Sequence, residues 1–259
     1  MIVKKTWREI RWMAVVYALL LETILIPAVM LWPNLRGAFS SVVPIQSFRD
    51  MFRDISRDSD MAFSAYMGVQ MFFKGANIVG ISCAVLLGTG LIARERENQT
   101  LEFLLSRPIT RSRILFGKFA VCAVAVVLPI FITSWTSIPL AGLVEEKLSF
   151  REVTLGAFHS SSFVLLFLSI TLMCSVWFRT QVHAAFAVGG FITAQIAVYF
   201  IQDIRVGSVF MLSDYTIYGP IMAGNRSLWS LLTGSTSWIL LASLVCYLIA
   251  DRSLRRTSL

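Results

Sequence analysis

The sequence predicts an all-α polytopic membrane protein with six transmembrane helices, and three observations carry that prediction. Hydrophobic residues fill 56% of the 259 positions and charged residues only 15%, against about 45–50% and about 25% in a soluble domain. Six runs approach the ~20 apolar residues that a bilayer-spanning helix needs: residues 14–32, 75–93, 119–141, 157–178, 182–201 and 228–250. Lys and Arg gather at alternate ends of these runs. With the N-terminus inside, fourteen of the 23 lie on the inner side. Orientation follows Lys and Arg rather than net charge, so both termini are expected in the cytoplasm of a multi-pass protein of the cytoplasmic (inner) membrane. The net charge of +8 then maps to membrane edges, and no nucleic-acid partner is expected.

Residues 1–13 read as an interfacial amphipathic helix. Val3, Trp7 and Ile10 recur at i, i+4, i+7, with Lys4, Lys5, Arg8 and Arg11 mostly on the other side. Such a helix lies in the interface with its basic face towards anionic membrane lipid. The apolar run that follows is too long for a signal peptide and ends in Leu-Trp-Pro without a small-residue cleavage site. An uncleaved first span is expected. It carries Glu22 near its middle, where an ionisable group costs about 2.5–3.5 kcal/mol and must find a cavity or a partner. Two readings fit Glu22: a lining of a substrate path, or a hydrogen-bonded carboxyl between helices.

Residues 33–74 read as an outer amphipathic segment. Within 44–66, Ile45, Phe48, Phe52 and Ile55 make an apolar stripe, and Asp50 with Arg53 and Asp54 with Arg57 make i, i+3 pairs. That helix fits the outer membrane surface, a cap on an outer mouth, or a seat for an extracytoplasmic partner. The second span carries Gly75, Gly80, Gly88 and Gly90, small residues that let helices approach closely in lipid. The third contains Pro129 and Pro139, which predict a kink. Arg179 ends the fourth span and opens a short inner turn. His159 and His183 read as hydrogen-bonding groups rather than ligands. Residues 202–227 are too short and interrupted to span; a re-entrant segment is permitted there only if protein covers its backbone. The last span ends in Asp251, Arg252, Ser253, Leu254, Arg255 and Arg256, a basic inner anchor.

The chemistry of a catalyst is missing from the pattern. No Gly-x-x-x-x-Gly-Lys-Ser/Thr, His-Glu-x-x-His or Gly-x-Ser-x-Gly occurs. The four cysteines fall one to a span and read as packing residues, not metal ligands or disulfides. No catalytic, cofactor-binding or metal site is expected, and the spans leave no room for a soluble catalytic domain.

The most informative stretch is residues 94–118, ending in the third span. Leu101, Leu104 and Leu105 fall at helical spacing beside Glu97 and Glu102, Pro108 breaks the run, and a basic helix start follows at Thr110. A short amphipathic helix at a membrane edge fits a docking surface; a solvated loop held inside by its charge fits as well.

Here the residues resemble the ABC-2-type transporter permease subunits. In that family an acidic, Arg-containing turn after the second span leads into Gly-Thr-Leu-Glu, a Leu-Leu pair, Ser-x-Pro, Ser/Thr-Arg, and Gly-Lys opening the third span. This sequence matches at Thr100, Leu101, Glu102, Leu104, Leu105, Ser106, Pro108, Thr110, Arg111, Gly117 and Lys118. It departs at Gln99, where the family usually has Gly. The layout is most similar to the branch of the nitrous oxide reductase maturation permease.

The resemblance implies a single permease domain over 1–259, working as a dimer with a second copy or homologue. It implies a dimer of separate cytoplasmic ATP-binding subunits that hold ATP and Mg. It also implies that 94–118 contains a coupling helix. The docking residues would be Glu95, Glu97, Thr100, Leu101, Glu102, Leu104, Leu105, Pro108, Arg111 and Arg113, with Arg179 as a second contact and Glu22 as the substrate-path candidate. Two other classes compete: a non-transporting anchor that recruits a cytoplasmic protein, and a secondary transporter that uses Glu22.

Overall fold

The computed structural model describes residues 2–35, 59–100 and 110–256. Every regular element among them is helical, and six helices are long and apolar enough to cross a membrane. The stripe of Ile45, Phe48, Phe52 and Ile55 lies outside the described residues.

Helix α1 (Ile2–Leu35) is unbroken. The amphipathic start and the first span, read separately from the sequence, form one helix, because neither Gly nor Pro occurs before Pro27 to interrupt its bonding. The second span also differs from its expected bounds. It is built from α2 (Ser59–Met67), a π-helical segment (Gly68–Val79), α3 (Gly80–Thr89) and, after a turn, α4 (Ala93–Glu97). Its apolar stretch runs from Phe63, well before residue 75. Gln70 and Lys74 dilute the hydropathy there, although Phe63, Tyr66, Met67, Met71 and Phe72 are buried.

The third span is α5 (Arg111–Leu143), which keeps both Pro129 and Pro139 inside one helix. Helices α6 (Phe150–Trp177), α7 (Gln181–Phe200) and α10 (Ser235–Arg256) complete the six. Between α7 and α10 lie two 3-10 turns (Arg205–Gly207 and Val209–Ser213), α8 (Tyr215–Met222) and α9 (Leu228–Leu232).

Helix α6 is the centre of the bundle, packed by α3, α5, the π segment and α10. Its composition explains the position. Gly156, Ala157, Ser160, Ser161, Ser162, Ser169, Thr171 and Ser175 are small and buried, and in lipid, where apolar surface alone does not drive association, such residues allow close packing. Gly80 on α3 uses this: a Cβ there would stand 2.8 Å from both the Tyr17 hydroxyl and Val164 Cγ2. By contrast only Ala184 and Val188 of α7 are buried.

Residues 201–234 fold back against the π segment and α6, and a buried polar cluster meets their backbone. Asn77 Nδ2 donates to the Ser213 carbonyl at 3.2 Å and to its hydroxyl at 3.0 Å. Ser160 donates to Asn77 Oδ1 at 2.7 Å, and the Tyr218 hydroxyl lies 2.7 Å from that of Ser213. His159 bonds the Leu212 carbonyl at 3.1 Å and Thr236 at 2.8 Å, the hydrogen-bonding role expected of it. These bonds satisfy part of the irregular backbone between α7 and α10. Asp214, fully buried, caps α8 by accepting from the Tyr215 amide at 2.7 Å and pairs with Arg205 at 3.1 Å. Burial pushes its carboxyl up from the usual range, opposed by bonds from Tyr199 and Tyr215 and by the Arg205 charge.

Candidate functional site

The end of the second span is tied to four other helices. The turn after Thr89 leaves two backbone N–H groups, Ile92 and Ala93, that donate to the buried Ser175 hydroxyl at 3.0 and 2.9 Å. Ser175 in turn donates to the Thr89 carbonyl at 2.9 Å. One hydroxyl of α6 thus satisfies the break between α3 and α4.

Arg96 reaches in the other direction. Its guanidinium donates to the carbonyls of Val176 and Phe178 at 3.1 and 2.9 Å. These belong to the end of α6, where carbonyls lack intrahelical partners and the helix dipole favours a cation. Glu97 accepts the Gln181 backbone N–H at 3.2 Å, at the N-terminus of α7, the end that favours an anion. Arg96 and Glu97 therefore clip α4 onto the α6–α7 connection, which carries the exposed Arg179.

Glu95 and Lys118 close the stretch at its base. Lys118 Nζ lies 2.8 Å from Glu95 Oε1 and 2.9 Å from the Leu91 carbonyl. Thr100 donates to Glu95 Oε2, and Lys5 stands 3.9 Å from Glu95. The chain leaves this knot at Thr100 and re-enters at Thr110. Leu101, Glu102, Leu104, Leu105 and Pro108 lie outside the described residues.

The departure is shaped by Gln99. Its φ of 57° is left-handed, the Gln99 N–H bonds the Arg96 carbonyl at 3.1 Å, and the Thr100 N–H bonds the Glu95 carbonyl at 2.9 Å. That pair of bonds is a Schellman motif, whose left-handed position glycine fills most easily. The Gln/Gly difference noted in the sequence falls on this position.

Arg111 donates to the Leu254 carbonyl at 3.2 Å, and Arg255 Nε donates to Ser112 at 2.7 Å. The start of α5 is thereby joined to the end of α10. Among the predicted residues, Glu95, Glu97, Thr100 and Arg111 have partners within the chain, and Glu97, Thr100, Arg113 and Arg179 are exposed at the same end of the bundle. Sequence reasoning left Arg96, Ser175 and Gln181 out of the site. Arg96 carried a signal, as a cation just beyond the expected second span (75–93); Ser175 and Gln181 carried none.

Glu22 lies elsewhere, half-buried between α1 and α5, where it accepts a bond from Thr136 at 2.8 Å. No cluster of His, Cys, Asp and Glu suited to a metal occurs among the described residues, and the four cysteines are unpaired thiols.

A comparison with curated proteins finds no match. A family model, ABC-2 family transporter protein, matches residues 1–249. That match covers nearly the whole chain and agrees with the six apolar helices: the chain belongs to the ABC-2 family of transporter proteins and is a multi-pass transmembrane ABC transporter permease.

Proposed function

We propose that this permease is the membrane half of an exporter and that residues 94–118 couple it to a separate cytoplasmic ATP-binding subunit. The observation that carries the reading is the anchoring of that stretch. Glu95–Lys118, Ser175 and the Arg96–Glu97 clip join it to α5, α6 and α7. A force applied to the Leu101, Leu104 and Leu105 ridge would reach several spans at once, as rigid-body switching requires. Exposed Glu97, Arg113 and Arg179 would orient the ATPase at the rim of the contact.

ATP and Mg belong to the ATPase dimer in this reading, and this chain performs no hydrolysis. The distribution of Lys and Arg supports cytoplasmic termini in the inner membrane. A second copy or homologue completes the path, and the sparsely covered α7 offers surface for it. Glu22 is the path candidate, the outer residues 44–66 the seat for an extracytoplasmic partner, and the nitrous oxide reductase maturation permeases a branch that the layout resembles.

The docking test is co-purification of the tagged chain with its ATP-binding subunit. Changing Leu101, Leu104 and Leu105 together to Ser should abolish capture while insertion stays normal. Capture that survives the triple change would sink the docking claim and favour a contact elsewhere.

A further inference from the structure

A crevice of about 500 Å³ opens between the start of α1, the end of α3, α4 and the start of α5. A second hollow of about 470 Å³ adjoins it along α1, sharing Lys5 and Glu9. Both volumes fall in the range that holds small molecules, and the lining is divided. Ile10, Met13 and Leu86 supply an apolar wall, and Leu86 is 61% exposed, so the wall opens sideways to the acyl-chain region. At the polar end of the crevice stand Arg94, Lys5 and Lys118 with the carboxylates of Glu9 and Glu95, and Lys4 and Arg8 line the adjoining hollow.

Charge accounting separates these cations from the rest. Lys118 is neutralised by Glu95 at 2.8 Å, and Lys5 sits at 3.8 and 3.9 Å from Glu9 and Glu95. Arg8 and Arg94 are exposed and have no ion pair among the described residues. Trp12, 66% exposed with the Arg11 guanidinium 5.6 Å from its ring, marks the headgroup level on the same helix.

We infer that this crevice and the adjoining hollow together seat an anionic phospholipid of the adjacent leaflet, with its headgroup between Arg94 of the crevice and Arg8 of the hollow and an acyl chain along Ile10, Met13 and Leu86. The occupant joins the N-terminal turns of α1 to the base of residues 94–118. Those turns otherwise touch the bundle through few side chains: Thr6 is buried and Ile10 half-buried, while Val3, Trp7 and Met13 are exposed. The site stands on the membrane setting alone, whichever protein docks at the stretch nearby.

The test is a thermal-unfolding titration of the purified full chain in mild detergent. The probes are dihexanoyl phosphatidylglycerol, dihexanoyl phosphatidylcholine and inorganic phosphate. Phosphatidylglycerol should stabilise the chain at concentrations at least tenfold lower than phosphatidylcholine, with phosphate weaker still. Arg8→Gln and Arg94→Gln should each weaken the phosphatidylglycerol response about fivefold, whereas Leu86→Asp should weaken both lipids. Equal responses to the two lipids would overturn the anionic seat. A phosphate response equal to that of phosphatidylglycerol would overturn the lipid in favour of a bare anion site. Should Arg8→Gln fold poorly, Arg8→Lys keeps the charge and must retain the response.

Discussion

Glu95 and Lys118 are separated by 23 residues and meet at 2.8 Å, so the charged stretch between the second and third spans starts and ends at one ion pair. Lys118 is buried and Glu95 only partly exposed. Removing one partner of such a pair leaves an uncompensated charge, a loss of about 3 kcal/mol. Lys118→Met should therefore lower Tm by roughly 5–10 °C in detergent, and the pair Lys118→Met with Glu95→Gln should recover part of it. A double-mutant cycle by thermal unfolding checks this; additive losses would dissolve the pair.

Gln99 predicts the opposite sign for a substitution in the same turn. Because its φ is 57°, Gln99→Gly removes the Cβ crowding of the left-handed region and should leave stability unchanged or raise it by up to about 1 kcal/mol. Gln99→Val places a β-branched residue there and should cost about 1–2 kcal/mol. Unfolding midpoints of the two variants, compared in one detergent, give the ordering.

Asn77 holds the folded-back segment through the Ser213 carbonyl, with Ser160 and Tyr218 in the same cluster. Asn77→Leu strands these groups at about 1–3 kcal/mol each. Hydrogen exchange in Tyr215–Met222 should rise markedly more than in α5. Uniform exchange across the chain would show that the cluster does not retain that segment.

Gly156 tests the close packing of α6. A Cβ there would stand 2.4 Å from Phe72 Cε2, so the buried Phe72 ring, or the backbone that carries it, must shift. Gly156→Ala should cost about 1–3 kcal/mol, and Phe72→Leu in the same chain should restore part of it. Failure of that rescue, measured by Tm, would mean that Phe72 is not the obstacle.

The spans were legible because hydropathy reports them directly, and the motif at 94–118 because its residue types are unusual together. The π-helical winding of Gly68–Val79 was not legible, since it changes no hydropathy, and Gln70 with Lys74 disguised the span around it. The continuity of α1 was hidden because an amphipathic helix and a span are both helical and nothing in composition marks their junction. At the site, Glu95, Glu97, Arg111 and Arg179 were found as charges at a membrane edge. The contacts that hold this end together were not, because the Arg96–Glu97 clip depends on the carbonyls of Val176 and Phe178 and on the Gln181 N–H, and backbone groups have no residue code.

The most direct measurement is ATP hydrolysis by the permease co-purified with its ATP-binding subunit, with and without Leu104→Asp. The account predicts a stable complex whose hydrolysis and capture both fall sharply in the variant, while the chain inserts normally. Full hydrolysis and capture in Leu104→Asp would contradict coupling through this stretch.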